Sequence, residues 1–336
     1  MKIKRALLLA FVFLLSFFLG QLSYKFEILT SIPDSFVSLF VRDIFYTYEQ
    51  NSNPLIFEEE NVKYPFKFIV YGDSRENSGV QRTMIVKKII EEKPDFVIHL
   101  GDMVTFHDEH QWEIFDAFDG QIINNGIRFF PVLGNHEYRV SRTEIFPKKG
   151  DPEVLLKGYF KRFPFLEGRR WYTFIYGNSK FIILDTMVDH SPGSPQYEFL
   201  KEEIENGNGK FVFVCMHHPP YTKTRYGKAR KEEKVLAKMI EELNQKGLKT
   251  HIVFTAHKHN YERYLINGIN YIVSAGGGAP PYMVNRSEDD FYKEGGPNYH
   301  YCRVLISENK GIFEMVKLSK DLSKWEVKDS FEIKLQ

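Results

Sequence analysis

The stretch FKFIVYGDSR (residues 66–75) runs from a short apolar segment rich in β-forming residues into a glycine and an aspartate. The same succession recurs in FVIHLGD (96–102) and FFPVLGNHE (129–137), and an apolar pattern with helical spacing separates the first two segments. Short strands that alternate with helices are typical of α/β domains built from layered sheets. The sequence therefore predicts an α/β domain with polar residues at its strand ends.

The alternation continues along the rest of the chain. Further strands are predicted at 181–184, 211–216, 252–255 and 271–274, with helices around 112–122 and 235–243. The tail 301–333 alternates apolar and polar residues and predicts antiparallel strands. Upstream, Pro54 and the acidic run 58–60 indicate a linker. We therefore predict a connector over residues 23–64 and one domain over residues 65–336.

The composition is that of an ordinary globular protein. The 336 residues are 43% hydrophobic and 26% charged, which argues against disorder and fibrous architecture. Beyond the basic residues at positions 2, 4 and 5, the chain carries 42 basic and 44 acidic residues, which argues against a nucleic-acid scaffold as partner. Cys215 and Cys302 are too few for a disulfide framework, and we favour two separately buried thiols over one bridge.

Residues 1–22 have the pattern of an export signal. Lys2, Lys4 and Arg5 precede an apolar run over 6–22, which is just long enough to span a bilayer. The flank GQLSY (20–24) matches a signal-peptide cleavage site poorly, so we favour an uncleaved signal anchor, a transmembrane helix, over a cleaved signal peptide. In both cases the basic end stays cytoplasmic, so we expect the domain outside the cytoplasm, membrane-anchored or secreted.

Potential metal ligands follow five of the predicted strands. They are Asp73, Asp102, Asn135 with His136, His217 with His218, and His257 with His259. The carboxyl ends of strands form the ligand crevice of open α/β sheets, so these side chains are expected on one rim. A glycine before Asp73, Asp102 and Asn135 permits a sharp turn there. Oxygen and imidazole ligands of this mixture suit Zn, Mn or Fe, and the set predicts a metal site.

In this order the blocks resemble those of the calcineurin-like metallophosphoesterases, most closely the purple acid phosphatase branch. That branch has GDx, GDxxY, GNH followed by an acid, VxxH and GHxH. This chain has GD (72–73), GD (101–102), GNHE (134–137), VCMH (214–217) and AHKH (256–259). The resemblance covers about residues 65–281 and implies the four-layer fold of that superfamily, a β-sandwich flanked by helices.

The resemblance also implies a dinuclear metal centre and hydrolysis of phosphate esters. The carried-over ligands are Asp73 and His259 for the first divalent ion, Asn135, His217 and His257 for the second, and Asp102 as the bridge. Family members use such a pair to bind phosphate oxygens and to make a hydroxide that attacks phosphorus in line. His136 would donate a proton to the leaving group, or alternatively orient its neighbours.

Two positions depart from the family's pattern. Many calcineurin-like enzymes have Asp-x-His in the first block, where this chain has Arg75, and the purple branch has tyrosine where this chain has Thr105. The first ion therefore lacks one strong ligand. Arg75 is predicted to contact the substrate phosphate, since guanidinium matches phosphate geometry; structural pairing with a carboxylate is the alternative. His107 and His110 are near enough in sequence to supply a ligand, or else belong to a surface loop.

These observations predict an exported metallophosphoesterase whose partners are a phosphate-ester substrate and the membrane. Hydrolysis of a phosphomonoester is the favoured reaction. A phosphodiesterase is the alternative enzyme, because the same metal pair serves both reactions. A weakened relative that binds a phosphate ligand or a protein partner without turnover is the third reading, because the first metal site is incomplete.

Overall fold

The structure is a computed structural model that describes residues 54–75, 79–141, 152–207 and 209–335. The predicted anchor or signal at 1–22 and the connector up to residue 53 lie outside these ranges. Among the described residues, no helix is both long enough and apolar enough to cross a bilayer.

The described chain mixes strands and helices up to residue 255 and continues with strands alone to its last element. In chain order the strands are β1 (Leu55–Glu59), β2 (Phe66–Tyr71), β3 (Phe96–His99), β4 (Arg128–Pro131), β5 (Tyr172–Tyr176), β6 (Ser179–Ile183), β7 (Phe211–Cys215), β8 (Ile252–Thr255), β9 (Tyr261–Ile266), β10 (Ile269–Ser274), β11 (His300–Ile306), β12 (Lys310–Leu318) and β13 (Trp325–Lys334). The helices are α1 (Gly79–Glu92), α2 (Glu109–Ala117), α3 (Gly120–Asn124), α4 (Pro152–Leu155), α5 (Lys157–Arg162), α6 (Pro195–Glu205) and α7 (Lys231–Gln245), with a 3-10 turn at Pro164–Leu166.

These strands form two sheets. One has the order β13-β12-β11-β2-β3-β4, in which β2, β3 and β4 are parallel neighbours and the three C-terminal strands are antiparallel. The other has the order β1-β5-β6-β7-β8-β10-β9, in which β6, β7, β8 and β10 are parallel. The antiparallel strands predicted over 301–333 are confirmed, as are the α/β alternation and the strands that carry the motifs.

The two sheets pack face to face through aromatic side chains. The ring of Phe68 on β2 lies 5.1 Å from that of Phe181 on β6 and 5.3 Å from that of Phe213 on β7. Successive side chains of a strand point to opposite faces, so Lys67 points away from this core. Its Nζ lies 3.1 Å from the carboxylate of Glu92 on α1, which places that helix on the outer face of the sheet.

The second sheet is covered in the same way. Lys180 precedes the inward-facing Phe181 and points outward, and its Nζ lies 2.7 Å from the carboxylate of Glu203 on α6. On β10 the hydroxyl of Tyr271 donates to Glu241 on α7 at 3.0 Å. Helices therefore lie outside both sheets, and the expected four layers of helix, sheet, sheet and helix are confirmed.

Local sequence signals explain where several helices begin. The side chain of Asp108 accepts a hydrogen bond from the backbone N–H of Gln111 at 3.0 Å and caps α2. Ser194 caps α6 in the same way through the N–H of Tyr197. Such caps satisfy backbone donors that a helix leaves free at its first turn. The predicted apolar stripe of α7 is buried, through Leu236, Met239, Ile240 and Leu243.

The structure corrects the predicted boundaries in three places. Strand β1 lies inside the segment 23–64 that the sequence assigned to a connector, and it pairs in parallel with β5 at the edge of its sheet. An edge strand tolerates the acidic side chains that indicated a linker, because much of it faces solvent. The helix predicted around 112–122 is two helices, α2 and α3, and the strands β5 and β9 were not predicted.

Candidate metal centre

The predicted site residues meet where the strands of both sheets end. Strands β2, β3 and β4 are parallel and so deliver Asp73, Asp102 and Asn135 to one edge. The second sheet meets this edge through hydrogen bonds at its own strand ends. Nδ1 of His217 lies 2.7 Å from the carbonyl oxygen of Leu100, and the N–H of His257 donates to Asp73 at 2.8 Å. The rim expected from the sequence is therefore formed by both sheets together.

Three of the site residues have backbone conformations that favour glycine. The φ angles of Asp73, Asp102 and His257 are 56°, 58° and 64°. Such angles cost on the order of 1–2 kcal/mol for a residue with a Cβ, and they cluster at functional sites. The turn expected at the preceding glycine applies only to Gly101, whose φ is 91°. Glycine is required at position 134 for a different reason: the backbone there lies so close to Asp102 that a Cβ would be 2.4 Å from Oδ1 of that residue.

The first ligand group consists of Asp73, Asp102 and His259, whose donor atoms all lie within 4.8 Å of one another. Nδ1 of His259 lies 2.8 Å from the carbonyl oxygen of Pro280 and must donate its hydrogen there, so Nε2 is the ring nitrogen that faces the site. This Nε2 lies 3.1 Å from Oδ1 of Asp73, which accepts no hydrogen bond from the described residues. A buried carboxylate oxygen without a hydrogen-bond partner, next to an imidazole nitrogen, fits a bound cation.

The second group is built around His217. Its Nδ1 donates to Leu100, so its Nε2 is the ring nitrogen that faces Oδ1 of Asn135 at 3.2 Å and Oδ1 of Asp102 at 3.3 Å. An imidazole nitrogen, an amide oxygen and a carboxylate oxygen therefore converge, and a divalent ion can bind to all three. The ring of His257 lies 5.1 Å from that of His217. Imidazole, amide and carboxylate ligands of this kind suit Zn, Mn or Fe.

His218 is a neighbour of the second group that the sequence reasoning named but did not assign. Its ring nitrogens lie within 4.8 Å of those of His217 and His257. Its Nδ1 is 2.6 Å from the hydroxyl oxygen of Thr186. Burial, and then the charge of Arg230, hold the pKa of His218 well below its ordinary value, so the ring is neutral and able to bind a metal. The signal for it was the doubled histidine at 217–218.

Two further residues that shape the site were missed. The buried Glu137 accepts backbone hydrogen bonds from Gly134 at 2.6 Å, Asp102 at 3.0 Å and Met103 at 2.7 Å, and so ties two ligand-bearing loops together. Burial and the nearby Asp102 raise the pKa of Glu137 to about 7. The acid of the GNHE block was the available signal for this residue.

His99 is the second missed residue, and it joins the loops after β2 and β3. Its Nδ1 accepts from the N–H of Gly101 at 3.2 Å, so its Nε2–H donates to the hydroxyl of Ser74 at 2.9 Å. Burial lowers the pKa of His99 to about 3, so the ring is neutral. Because His99 lies inside an apolar strand pattern, only its polarity could have indicated a role at the site.

Asp102 is the electrostatic centre of the site. Burial opposes its ionisation, but the electrostatic interactions with His217, His136 and Arg75 outweigh burial and hold the pKa of this carboxyl well below its ordinary value. Its Oδ1 accepts from the backbone N–H of His136 at 3.0 Å and also faces His217, while its Oδ2 faces Arg75. The carboxylate thus touches both ligand groups, as the resemblance implied for a bridging residue.

His136 lies beside Asp102 with one ring nitrogen directed to the site. Its Nδ1 donates to the carbonyl oxygen of Thr105 at 2.9 Å, and its Nε2 lies 3.8 Å from Oδ2 of Asp102. Burial lowers the pKa of His136 to about 3, although the charge of Asp102 opposes this shift. In this structure the neutral ring therefore presents an unprotonated Nε2.

Arg75 lies within the first ligand group. Its Nε donates to Oδ2 of Asp102 at 3.3 Å, and its Nη2 lies 3.4 Å from Nε2 of His259. The carboxylate pairing that the sequence left as the alternative for Arg75 is thus present.

Neither histidine that follows Thr105 joins the described ligand groups. The side chain of His110 is 77% exposed and pairs with Glu113, and His107 is partly exposed. His107 lies in a loop and His110 in the first turn of α2, so the surface position that the sequence left as the alternative is found for both, although only His107 is in a loop.

With this geometry, the chain belongs to the calcineurin-like phosphoesterase family, whose model matches residues 66–261. Among curated proteins it is similar to the probable inactive purple acid phosphatase 9 of Arabidopsis thaliana, at 27% identity over 66% of this chain and 38% of that protein. It is also similar to the probable purple acid phosphatase 20 of the same plant, at 27% identity over 60% of this chain and 47% of that protein. The chain thus spans less than half the length of these two relatives.

A solved structure shares the fold. The purple acid phosphatase PPD1 from yellow lupin (Lupinus luteus) seeds superposes with a TM-score of 0.65 at 21% identity, over 82% of this chain and 55% of that protein. The two-sheet architecture with flanking helices is therefore that of a purple acid phosphatase domain, and the resemblance found in the sequence motifs is confirmed.

Proposed function

We propose that this protein is a metal-dependent phosphoesterase that acts on phosphate monoesters. The observation that carries the proposal is the position of Asp102, whose carboxylate belongs to the first ligand group with Asp73 and His259 and also lies 3.3 Å from Nε2 of His217 in the second group. Burying unpaired acceptors is costly unless a cation joins them. A stable domain that keeps them together supports metal binding as their purpose.

The second group would hold a divalent ion through Asn135, His217, His257 and Asp102. Such an ion supplies Lewis-acid polarisation of a phosphoryl oxygen and activation of water. The protein's own contribution is orientation, because Leu100 holds the ring of His217 so that its free nitrogen faces the other ligands. The family's two-ion centre would also use Asp73 and His259, where the guanidinium of Arg75 is already present.

His136 is proposed to deliver the proton that the leaving group takes up. Its Nε2 faces the site and its Nδ1 is fixed on Thr105, so the ring is oriented for this step. Because burial lowers the pKa of His136, donation requires that a bound phosphate dianion raise it again. A purely orienting role is the alternative, and the leaving-group experiment in the Discussion separates the two.

Arg75 is proposed to contact the substrate phosphate. Its guanidinium is held beside Asp102 and His259, at the rim where the phosphate of a substrate would bind. Planar guanidinium groups bind phosphate oxygens in a bidentate manner. A monoester dianion carries more charge than a diester anion, which favours monoesters at a site with an added fixed cation.

The export of the protein is proposed from residues 1–22. Their basic start and apolar run match an anchor or signal, and we favour an anchor that leaves the phosphoesterase domain outside the cytoplasm. Fractionation of the full-length protein tests this. Partition with membranes is expected, whereas a native N-terminus near residue 23 would indicate a cleaved signal and a secreted protein.

A substrate panel tests the activity. The full-length protein is stripped with chelator, reloaded with Zn, Mn or Fe(II), and assayed with p-nitrophenyl phosphate and bis(p-nitrophenyl) phosphate. We expect metal-dependent turnover that is faster on the monoester. Faster turnover of the diester would make the protein a phosphodiesterase.

A non-catalytic binding protein is the second candidate. It is favoured by Arg75 in the first group and by the word "inactive" in the name of one relative. Bound metal without turnover of either ester would support this candidate and overturn the enzyme.

A further inference from the structure

The side chain of Arg75 contacts atoms that would otherwise bind the first metal ion. Its Nε is 3.3 Å from Oδ2 of Asp102, and its Nη2 is 3.4 Å from Nε2 of His259. Only 10% of the side chain is exposed. The guanidinium is therefore enclosed in the first ligand group and does not extend from the rim into solvent.

The surroundings of His259 make this position favourable for a cation. Its Nδ1 donates to the carbonyl oxygen of Pro280, and its Nε2 lies 3.1 Å from Oδ1 of Asp73, a buried carboxylate oxygen that accepts no hydrogen bond from the described residues. A positive charge close to this carboxylate stabilises it. Arg75 supplies that charge without any metal ion.

The departures at positions 75 and 105 act together. The residue types that would complete the first site, a histidine two residues after Asp73 or a tyrosine three residues after Asp102, are replaced by Arg75 and Thr105. Because this chain has neither alternative, the first site lacks one strong ligand, and Arg75 also adds a fixed positive charge there. A second cation at this position would have to displace a buried guanidinium that already pairs with Asp102.

We propose that Arg75 is the permanent cation of the first position, so that the protein binds one divalent ion, at the second group. In this arrangement Arg75 contacts Oδ2 of Asp102 and places its positive charge beside the phosphate, in place of a first metal ion. The inference rests on the proposed function, because it takes the second group to be a metal site and phosphate to be the ligand.

The test is the metal stoichiometry of the full-length protein. Metal-free protein is titrated with Mn²⁺, and binding is followed by calorimetry and by electron paramagnetic resonance. We expect one tight equivalent and the six-line spectrum of an isolated Mn²⁺ ion. Arg75→His creates the Asp-x-His pattern and is expected to bind two equivalents, with the broadened spectrum of a spin-coupled pair.

Arg139→Gln is the matched control, since it removes a positive charge near His136 from a residue that shows no contact with Asp73 or His259 among its described interactions. It should bind one equivalent like the wild type. Circular dichroism checks that each variant is folded, and if Arg75→His does not fold, the wild-type stoichiometry decides alone.

The outcomes separate the two proposals. Two tight equivalents and a spin-coupled pair in the wild type would overturn the role of Arg75 and leave the phosphoesterase proposal standing. A single equivalent in folded Arg75→His would also overturn it, because removing the guanidinium would then not open the first position. No bound metal in the wild type would overturn both proposals.

Discussion

The backbone N–H of Asp102 donates a hydrogen bond of 3.0 Å to the carboxylate of Glu137, which follows the Asn135-His136 pair by one residue. The same carboxylate accepts from Gly134 and Met103, so one buried side chain holds the loops after β3 and β4 in a fixed relation. The central carboxylate of the site is therefore positioned by a second carboxylate that does not itself face the ligand groups.

Replacing Glu137 should weaken metal binding at the site. Glu137→Gln keeps the shape but directs an amide N–H₂ at backbone N–H donors, so we expect metal affinity to fall by about 10- to 100-fold. The free energy of unfolding should fall by roughly 1–3 kcal/mol, since a buried donor loses its partner. Calorimetric metal titration and thermal unfolding measure the two effects. Glu113→Gln, on the exposed face of α2, is the control. Equal metal affinities in both variants would contradict the positioning role of Glu137.

Removing the charge of Asp102 should abolish hydrolysis. Asp102→Asn preserves volume but takes away the carboxylate that faces His217 and Arg75, so we expect loss of bound metal and of turnover in a folded protein. Metal analysis by mass spectrometry and assays with p-nitrophenyl phosphate measure this. Asp116→Asn, which removes a half-exposed carboxylate on α2, should leave both unchanged. Near-normal turnover of Asp102→Asn would show that no metal ion depends on this carboxylate.

The role of His136 can be tested with substrates that differ in their leaving group. His136→Ala should slow hydrolysis of an alkyl phosphate by roughly a hundredfold or more, because its poor leaving group needs a proton. The loss on p-nitrophenyl phosphate should be smaller, because p-nitrophenolate leaves without protonation. The ratio of the two losses is the measured quantity. Equal losses on both substrates would remove the proton-donor role and leave an orienting one.

The neutral His99 should make the protein sensitive to acid. Its folded-state pKa is lowered to about 3, below the ordinary value of 6.5, so only the unfolded chain binds a proton here between these two pH values. Stability contributed by this residue is therefore complete above pH 6.5 and decreases by about 1.4 kcal/mol per pH unit as the pH falls toward 3. His99→Gln, which can keep both hydrogen bonds, should show a correspondingly shallower fall.

Denaturant unfolding at several pH values between 3 and 7 measures this difference. Subtracting the variant's free energy of unfolding from that of the wild type at each pH removes the contributions of the carboxylates and of other buried histidines, which both proteins share. Identical slopes would mean that His99 is protonated in the folded protein.

Much of the fold could be predicted because its signals are local. The strands β2, β3, β7, β8 and β10 are short apolar runs bounded by glycine or polar residues, and the stripe of α7 is helical in spacing. Strand β9 was missed since Tyr261–Ile266 mixes charged and apolar residues on a partly exposed edge. Strand β1 was missed for a similar reason, because the acidic side chains of an edge strand look like those of a linker.

The convergence of the candidate ligands could be predicted for the same reason, since each of them follows a recognisable strand. The positioning residues could not. Glu137 and His99 act through hydrogen bonds to backbone atoms of other loops, and no pattern in the sequence specifies such a partner. The two buried thiols, Cys215 and Cys302, are found as expected, because a cysteine inside an apolar strand pattern is normally buried.

The order of the motif blocks and the types of their residues were thus enough to indicate the family and to name candidate ligands. The role of Arg75 could be inferred only from the tertiary structure. Its contact with His259 joins residues 184 positions apart, and its distance of 3.4 Å depends on how the two sheets pack and where their strands end. Periodicity and motif spacing determine which edge a side chain approaches, but only the packed sheets determine which atom it faces and whether that place remains open to a metal ion.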